Sequence, residues 1–286
     1  MNLPSYLPNP WHELRESLTH LREYPWLSGR LRYLWNFTRW QSQVRQQGLR
    51  PVPDGAPRLT VILLSYRRVR NMEPLVDSLL RTGLVGHVIV SNNNPAYRIS
   101  DWVRLRDERL QLVDQPVRRY AGVRFELARS APGDYFASID DDIFLLPSQL
   151  ESLFGTLLAE PDVPHGLQGE SYDGGHGPQE TQGWRVNLRG DQRVDSINRV
   201  YFFTRAHLNE LYRLAGLLGL EVGDMANGED LLLSSSGRAR PLVHEVGQVT
   251  DCLSACRRGV AISWTHQNFF QERTALLARL RSLKPL

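Results

Sequence analysis

Residues 135–144 read YFASIDDDIF, an apolar run that ends in three consecutive aspartates and then resumes. Short continuous apolar runs are typical of strands that are buried on both faces of a parallel sheet. The three carboxylates would then lie at the carboxyl end of a strand, which is where open α/β sheets bind their ligands. This stretch therefore predicts an α/β fold with a polar site at one edge of its sheet.

The segments on either side of this stretch extend the same pattern. Apolar runs at 59–64 (LTVILL), 87–91 (HVIVS) and 110–113 alternate with helical segments at 72–81, 99–107 and 122–130. Downstream we predict a helix that ends at 158, a glycine-rich loop over 161–193, a strand at 198–204, and helices at 206–218 and 276–283. Such alternation predicts a mixed, mainly parallel sheet flanked by helices. The motifs G-x-G-x-x-G and G-x-x-x-x-G-K-[ST] do not occur after these strands, which argues against dinucleotide and P-loop chemistry.

Length and charge narrow the classes of function. The 286 residues suffice for one large α/β domain, and 34 basic residues, of which Lys284 is the only lysine, oppose 31 acidic ones. A net charge of +3 is too weak to indicate a nucleic-acid-binding protein, so no nucleic-acid partner is expected. Transmembrane and secretory segments are not recognisable, and we predict a cytoplasmic protein. We expect Cys252 and Cys256 to be buried free thiols.

The first 57 residues differ from the rest, and we divide the chain into an N-terminal helical extension with its linker (1–57) and a main domain (58–286). Four of the seven tryptophans lie in the first 50 residues, where seven arginines oppose three glutamates. Helices are predicted at 11–23 and 29–46. Two interpretations stay open: a helical hairpin packed on the main domain, or a basic, aromatic helix in peripheral contact with an anionic membrane at its inner face.

Two acidic clusters are the candidate chemical groups. Adjacent carboxylates repel one another, and a divalent cation such as Mn²⁺ or Mg²⁺ at Asp140, Asp141 and Asp142 would relieve that repulsion. The alternative is a solvated acidic turn that caps the next helix. Glu229 and Asp230 open a second apolar run, where one acid can cap a helix and the other can face a substrate hydroxyl. We predict that this second cluster is catalytic, with helix capping as the alternative.

Several motifs carry a family resemblance. They are the run LLSYRR at 63–68, the asparagine triplet at 92–94, Arg124-Phe125, the stretch SIDDD at 138–142, and Glu229-Asp230 about ninety residues later. In this order and spacing they resemble the exostosin-type glycosyltransferases, family 64, over roughly residues 58 to 275. The resemblance implies the GT-A fold and a metal-dependent, retaining transfer of a hexose or N-acetylhexosamine from a UDP-sugar donor.

The resemblance also assigns roles on the nucleotide side. It implies that two residues flank the uracil, that one asparagine touches the nucleoside, and that arginines contact the phosphates or the sugar of the donor. The residues concerned are Tyr66 and Arg67 for uracil, with Ser65 beside them as a further nucleotide-binding residue, Asn92 or Asn93 for the nucleoside, Arg124 for donor phosphate or sugar, and Arg273 for the diphosphate.

On the metal and sugar side, the resemblance makes Asp142 the leading metal ligand. Asp140 and Asp141 would face ribose and sugar hydroxyls, with Asp140 also available to the metal, and Glu229 and Asp230 would lie by the anomeric carbon. A late histidine, His266, is a candidate further ligand, with a structural histidine as the alternative.

Three functions remain open at this point. The leading one is a metal-dependent glycosyltransferase that acts on a glycan or lipid-linked acceptor with retention of configuration. In the second, an inverting transferase of the family 2 type, Asp230 would be the general base on the acceptor hydroxyl. The third is a nucleotide- or glycan-binding protein of the same fold without turnover. In both enzymes, a cation and arginines would stabilise the charge that develops on the departing diphosphate.

Overall fold

The computed structural model describes residues 27–172, 179–180, 190–252 and 266–284. Its helices are α1 Leu27–Gln47, α2 Met72–Leu80, α3 Val123–Ser130, α4 Pro147–Ala159, α5 Arg205–Leu218, α6 Glu229–Ser234 and α7 Phe269–Leu283. Its strands are β1 Leu59–Ser65, β2 Val85–Asn92, β3 Leu110–Asp114, β4 Tyr135–Asp140, β5 Ile143–Phe144, β6 His165–Ser171, β7 Gln179–Glu180, β8 Gln192–Arg193, β9 Ser196–Thr204, β10 Leu242–Val243 and β11 Thr250–Asp251. Within these ranges no helix is both long enough and apolar enough to cross a bilayer.

One sheet holds nine of the described strands, in the order β3-β2-β1-β4-β9-β6-β10-β8, and β7 pairs with β6. β3, β2, β1 and β4 are parallel neighbours, whereas β9 runs antiparallel to both β4 and β6. β10 is parallel to β6, so six of these nine strands point in one direction. The predicted mixed, mainly parallel sheet flanked by helices is confirmed.

The sheet separates two apolar layers. Along β1, Val61 and Leu63 face the layer that contains α1, α2 and α4, while Ile62 and Leu64 face the layer that contains α3, α5, α6 and α7. All seven residues of β1 are buried, as expected for a strand covered on both faces. The fold therefore leaves the carboxyl ends of β1, β2 and β4 as the edge where polar side chains can gather.

Helix α1 packs on the main domain along one face only. Tyr33, Trp40 and Val44 are buried, and the Trp40 ring centroid lies 5.0 Å from that of Phe144 at β5. Three apolar residues on the other face are exposed, namely Leu31, Leu34 and Trp35. The predicted helix at 29–46 is confirmed, whereas the one at 11–23 lies outside the described residues. The division of the chain at residue 57 stays a prediction.

Two of the predicted elements are wrong. The predicted helix at 99–107 is absent, and only Ile99–Asp101 form a 3-10 turn there. Side chains from other segments bind the backbone of this stretch, since Asp114 accepts from the Ile99 N–H and Glu73 accepts from the Arg104 N–H. The predicted loop at 161–193 contains strand β6. Gly169 of this strand lies at a close approach to β9, since a Cβ there would meet the backbone oxygen of Ser196. The glycines on which the loop prediction rests, Gly174, Gly175, Gly177 and Gly183, lie outside the described residues.

Candidate functional site

The register of the sheet brings the predicted polar residues to one edge. Leu64 of β1 lies opposite Asp140 of β4, and Ser65 lies opposite Asn92 of β2. The aspartate triplet and the asparagine triplet are therefore neighbours on either side of the end of β1. The two motifs therefore meet at the edge of the sheet where open α/β folds bind their ligands.

Ser65 and Tyr66 offer two features that a planar base could use. The Ser65 hydroxyl is buried and has no hydrogen-bond partner among the described residues. Buried hydroxyls nearly always have a partner, so an unpaired one at a ligand-binding edge is notable. The Tyr66 ring is flanked by two guanidinium carbons, those of Arg67 at 5.7 Å and Arg118 at 4.9 Å from its centroid.

The side chains of the two candidate asparagines differ in how many of their hydrogen-bonding groups already have protein partners. The Asn92 amide donates to Tyr97 O at 2.7 Å and to Asp114 Oδ1 at 2.8 Å, and its Oδ1 accepts from the Asn94 N–H. Asn92 therefore builds the turn after β2. The Asn93 Oδ1 accepts from Ser91 Oγ at 2.8 Å, and for the Asn93 amide nitrogen no partner is seen in the described part of the chain. Of the two, Asn93 is the better candidate to contact a nucleoside.

Arginines pair with each aspartate of the triplet. Arg124 Nη1 lies 2.9 Å from Asp140, Arg68 Nη1 lies 2.8 Å from Asp141, and Arg199 Nη2 lies 2.9 Å from Asp142. The side chain of Asp140 is 28% exposed, compared with 12% and 11% for the other two aspartates.

The protonation of the triplet follows from burial and from these arginines. Burial raises the pKa of Asp140 and of Asp141 above the usual range. At Asp142 burial acts in the same direction, but Arg199 and Arg68 outweigh it and lower the pKa. Asp142 is therefore the carboxylate that is held most firmly in the ionised form, as a metal ligand must be.

The donor chemistry of the triplet fits a divalent cation that binds together with a diphosphate. Carboxylate oxygens are the ligands that Mg²⁺ and Mn²⁺ prefer. In the described part of the chain, no group of three or more His, Cys, Asp or Glu side chains is arranged to hold a metal. A cation held by one or two carboxylates and by substrate phosphates does not need such a group.

His266 does not complete a three-ligand set with Asp140 and Asp142. Its Nε2 lies 2.7 Å from Glu272 Oε2, and its ring packs edge-on against Phe269. These contacts orient the imidazole towards α7, which fits the structural alternative for this histidine. The role of His266 as a metal ligand thus gains no support from its surroundings.

The second acidic cluster begins α6. Gly228 precedes it with φ = +83°, a conformation that favours glycine, and a Cβ at this position would meet Leu276 of α7. Asp230 accepts from two nitrogens of Arg273 at 2.7 Å each, and its Oδ2 also accepts from Ser196 Oγ. The Asp230 carboxylate is thus fixed in place by a bidentate ion pair.

Arg273 is almost wholly engaged by protein groups. It is buried, and besides Asp230 it donates to Glu170 Oε2 at 3.1 Å and to the Tyr172 hydroxyl at 2.9 Å. Its role on a diphosphate stays a prediction, whereas its contacts make it the residue that orients Asp230.

Glu229 is a buried acid of a different kind. Burial, and next the charge of Asp230, raise the pKa of Glu229 to about 7. Arg124 acts in the opposite direction on Glu229, and Arg124 also pairs with Asp140. The Arg124 guanidinium lies 4.8 Å from the centroid of the Tyr201 ring, a residue that interacts electrostatically with both acidic clusters. Arg124 and Tyr201 therefore join the two clusters into one site.

Sequence reasoning missed several residues of this site. Arg68 follows the predicted Arg67 directly, and its place after a strand end was the available signal. Arg199 and Tyr201 lie in the predicted strand at 198–204, and their local sequence carries no motif. Asp251, whose Oδ2 accepts from Arg199 Nη1 at 3.3 Å, lies in a segment for which no element is predicted. Cys252, predicted to be buried, is buried, and its sulphur lies 3.3 Å from the Asn71 amide. Cys256 lies outside the described residues.

Comparison with known families identifies the relatives of this fold. The glycosyl transferase family 2 model matches residues 60–209, just over half of the chain. This family is the second of the three possibilities that the sequence leaves open. The match does not single out the exostosin-type family. No curated protein matches the sequence significantly.

Solved structures of low sequence identity share the fold. GalNAc-T7 with UDP, GalNAc and Mn²⁺ aligns with a TM-score of 0.50 and 10% identity, over 68% of this chain and 43% of that one. S. aureus TarS 1-349 in complex with UDP-GlcNAc has a TM-score of 0.47 and 12% identity, over 79% and 73%. TarS 1-349 without ligand has a TM-score of 0.45 and 12% identity over 67% of this chain, which spans 59% of its length.

Proposed function

The chain belongs to glycosyl transferase family 2, and we propose that it transfers a sugar from a UDP-sugar to a glycan or lipid-linked acceptor with the help of Mn²⁺ or Mg²⁺. GalNAc-T7, which shares the fold, binds UDP and Mn²⁺, and this supports the choice of nucleotide and cation. Asp142 and Asp140 would hold the cation. When bound, such a cation neutralises the charge that develops on the departing diphosphate.

The observation that carries the proposal is the junction of the two acidic clusters at Arg124. This buried arginine pairs with Asp140 on one side and interacts electrostatically with Glu229 on the other. A donor whose diphosphate lies at the triplet would therefore present its sugar towards Glu229. Ser65, with its unpaired hydroxyl, and Tyr66 would face the uracil.

The two acids of the second cluster suit different roles. A general base works best when its pKa lies near the operating pH, and the pKa of Glu229 is raised to about 7. Asp230 is tied to Arg273 and Ser196, so taking up a proton would weaken that ion pair. We therefore assign Glu229 as the base that removes the acceptor hydroxyl proton. Burial, and next the negative charge of Asp230, would hold the pKa of Glu229 in the range that this role needs.

This assignment favours inversion over the retention implied by the exostosin resemblance. In a single displacement, the acceptor oxygen loses its proton to Glu229 and attacks the anomeric carbon from the face opposite to the departing UDP. The alternative is attack on the same face, with Asp230 steadying the oxocarbenium-like centre. The anomeric configuration of the first product, read by NMR, distinguishes the two stereochemical outcomes.

Donor binding tests the proposed nucleotide and cation directly. Calorimetry with UDP and GDP, each with and without Mn²⁺, should show that UDP binds more tightly than GDP and that Mn²⁺ strengthens the binding. Asp142→Asn should abolish the Mn²⁺ effect while the protein stays folded. Equal binding of UDP to the wild type with and without Mn²⁺ would contradict the metal assignment.

The exposed face of α1 supports a further part of the proposal, peripheral attachment to an anionic membrane that carries a lipid-linked acceptor. Leu31, Leu34 and Trp35 are exposed, and Trp35 is 71% exposed. The helix contains four arginines and no acidic residue. Apolar and aromatic side chains flanked by arginines suit the headgroup region of anionic bilayers. A position at the cytoplasmic membrane face would follow.

Vesicle co-sedimentation tests this attachment. The full chain should bind vesicles that contain phosphatidylglycerol and bind phosphatidylcholine vesicles weakly. Trp35→Ser combined with Leu34→Ser should reduce binding at least tenfold. Leu217→Ser, which removes an apolar residue that is 58% exposed on α5, is the matched control and should bind as the wild type does. Unchanged binding of the double variant would rule out α1 as the membrane contact.

A further inference from the structure

Arg199 stands out in the sheet because its backbone is strained. Its φ of +62° is left-handed, and among the described non-glycine residues only Asn268 shares a positive φ. Arg199 lies within β9, opposite the point where the register of β6 shifts between Gly166 and Gln168. Residues without a glycine's freedom adopt this conformation at an energetic cost, and such cost concentrates at functional sites. The fold therefore holds the Arg199 backbone in this conformation at an energetic cost.

The Arg199 side chain lies against the predicted leading metal ligand. Its Nε and Nη2 lie 3.1 and 2.9 Å from Asp142 Oδ1, and Nη2 also donates to the Asp142 backbone oxygen. Its Nη1 lies 3.3 Å from Asp251 Oδ2 and 3.3 Å from Gln168 Oε1. Two nitrogens of one guanidinium thus converge on a single carboxylate oxygen of Asp142.

A bound cation would compete with arginine for this carboxylate, because the other oxygen of Asp142, Oδ2, lies 3.2 Å from Arg68 Nη1. Mg²⁺ binds carboxylate oxygens at about 2.0–2.1 Å, and a guanidinium within hydrogen-bond distance of such an oxygen would lie close to the ion. Two positive charges at this distance in a buried site repel each other strongly. Four carboxylates around this position carry four formal negative charges, namely those of Asp140, Asp141, Asp142 and Asp251. Three arginines, Arg68, Arg124 and Arg199, contribute three formal positive charges. The arginines therefore already neutralise most of the charge that would attract a cation.

We propose that Arg199 is an internal cation that competes with the divalent metal for Asp142, so that metal binds tightly only together with the nucleotide diphosphate. This inference rests on the proposed function, since it assumes a diphosphate at the triplet. The diphosphate supplies two things at once: oxygens that complete the coordination of the metal, and an anion that can accept the displaced guanidinium. Arg199 is thus a positioning residue that couples metal binding to donor binding.

Mn²⁺ titration in the absence of nucleotide tests the competition. Electron paramagnetic resonance of free Mn²⁺ gives the affinity of the wild type, Arg199→Gln and Arg193→Gln. The last is a matched control, because Arg193 is an exposed arginine paired with Glu160. We expect Arg199→Gln to bind Mn²⁺ at least tenfold more tightly than the wild type, Arg193→Gln to bind as the wild type does, and Asp142→Asn added to Arg199→Gln to remove the gain.

A second measurement keeps the proposal testable if Arg199→Gln is poorly folded. Arg199→Lys keeps the charge but cannot place two nitrogens on one oxygen, and it should raise Mn²⁺ affinity by a smaller factor. UDP should strengthen Mn²⁺ binding less in either variant than in the wild type. Mn²⁺ affinities no tighter than that of Arg193→Gln would overturn the proposal. Wild-type turnover of UDP-sugars is measured separately, so the inference and the proposed function can fail independently.

Discussion

Glu229 is the residue whose protonation should be visible in the kinetics. Because its pKa is raised to about 7, the acid is protonated below neutrality and cannot act as a base there. We expect kcat/KM to rise about tenfold per pH unit below pH 7 and to level off above it. Glu229→Gln should remove this limb and lower kcat by about 10²–10⁴-fold. A pH profile that the substitution leaves intact would assign the limb to another group.

The pH dependence of the free energy of unfolding tests the raised pKa of Glu229 independently. A carboxyl whose pKa is raised in the folded state holds a proton that the unfolded chain has lost between about pH 4.5 and 7. The free energy of unfolding therefore falls as pH rises through this window. Glu229→Gln should raise the melting temperature at pH 8 relative to the wild type and change it little at pH 4.

We expect the Ser65 hydroxyl to contribute to UDP binding and not to the stability of the fold. Because it is buried and unpaired among the described residues, Ser65→Ala should leave the free energy of unfolding unchanged or raise it. The same substitution should weaken UDP binding severalfold. Ser78→Ala is the contrasting control, since its hydroxyl donates to Leu145 O at 2.8 Å. That variant should lose about 1 kcal/mol of stability and keep its UDP affinity. Unaltered UDP affinity in Ser65→Ala would remove Ser65 from the site.

Residues of the site could be predicted from the sequence only where they belong to a recognisable local motif. The aspartate triplet and the Glu229-Asp230 pair were found because acids that follow or precede apolar runs are conspicuous. The arginines that neutralise the triplet, Arg68 and Arg199, were not assigned to it, because an ion pair between distant segments leaves no local pattern. For the same reason the sequence suggested a cation where three guanidinium groups also lie.

The first turn of helix α5 contains a buried histidine that makes stability depend on pH. His207 Nδ1 accepts from the Thr204 N–H, while Thr204 Oγ1 accepts from the His207 N–H, so the two residues cap the helix reciprocally. Burial lowers the pKa of His207 to about 4. Between pH 6.5 and 4 the unfolded chain binds a proton that the folded protein does not, and stability falls as pH falls.

His207→Asn tests this contribution. The side-chain oxygen of the introduced asparagine can still accept from the Thr204 N–H, but asparagine does not titrate. The loss of stability between pH 7 and pH 4 should therefore be smaller than in the wild type by roughly 3 kcal/mol. Chemical denaturation at the two pH values measures it. His207→Leu, which removes both cap and titration, should lower stability at pH 7. An unchanged loss in His207→Asn would mean that other groups dominate.

The elements were predictable where the local signal and the tertiary context agree. β1, β2, β3 and β4 are buried or half-buried apolar runs, and their positions were predicted to within two residues. The helix at 99–107 failed because Asp114 and Glu73 bind the backbone in another conformation. β6 lies within the stretch that is predicted to be a glycine-rich loop. Its own glycines, Gly166 and Gly169, allow close contact with β9, and this tertiary contact leaves no local signal in the sequence.

The fold as a whole brings together two acidic clusters that are about ninety residues apart in the sequence. Burial of the apolar layers fixes where β4, β9 and α6 lie, and Arg124 and Tyr201 fill the space between their polar ends. The arginine-rich composition also becomes interpretable: several arginines neutralise buried carboxylates, and others line α1. Neither arrangement is visible in a net charge of +3.

Release of UDP by hydrolysis of a panel of UDP-sugars, with Mn²⁺ and with water as the acceptor of the sugar, tests whether the protein is a transferase that uses Glu229 as its base when the wild type is compared with Glu229→Gln. We predict measurable release with at least one donor in the wild type. In Glu229→Gln, release should fall at least 100-fold while the calorimetric affinity for UDP stays within about threefold. Wild-type rates in Glu229→Gln would contradict the assignment of the base. UDP binding without release from any donor would contradict the claim that the protein is an enzyme.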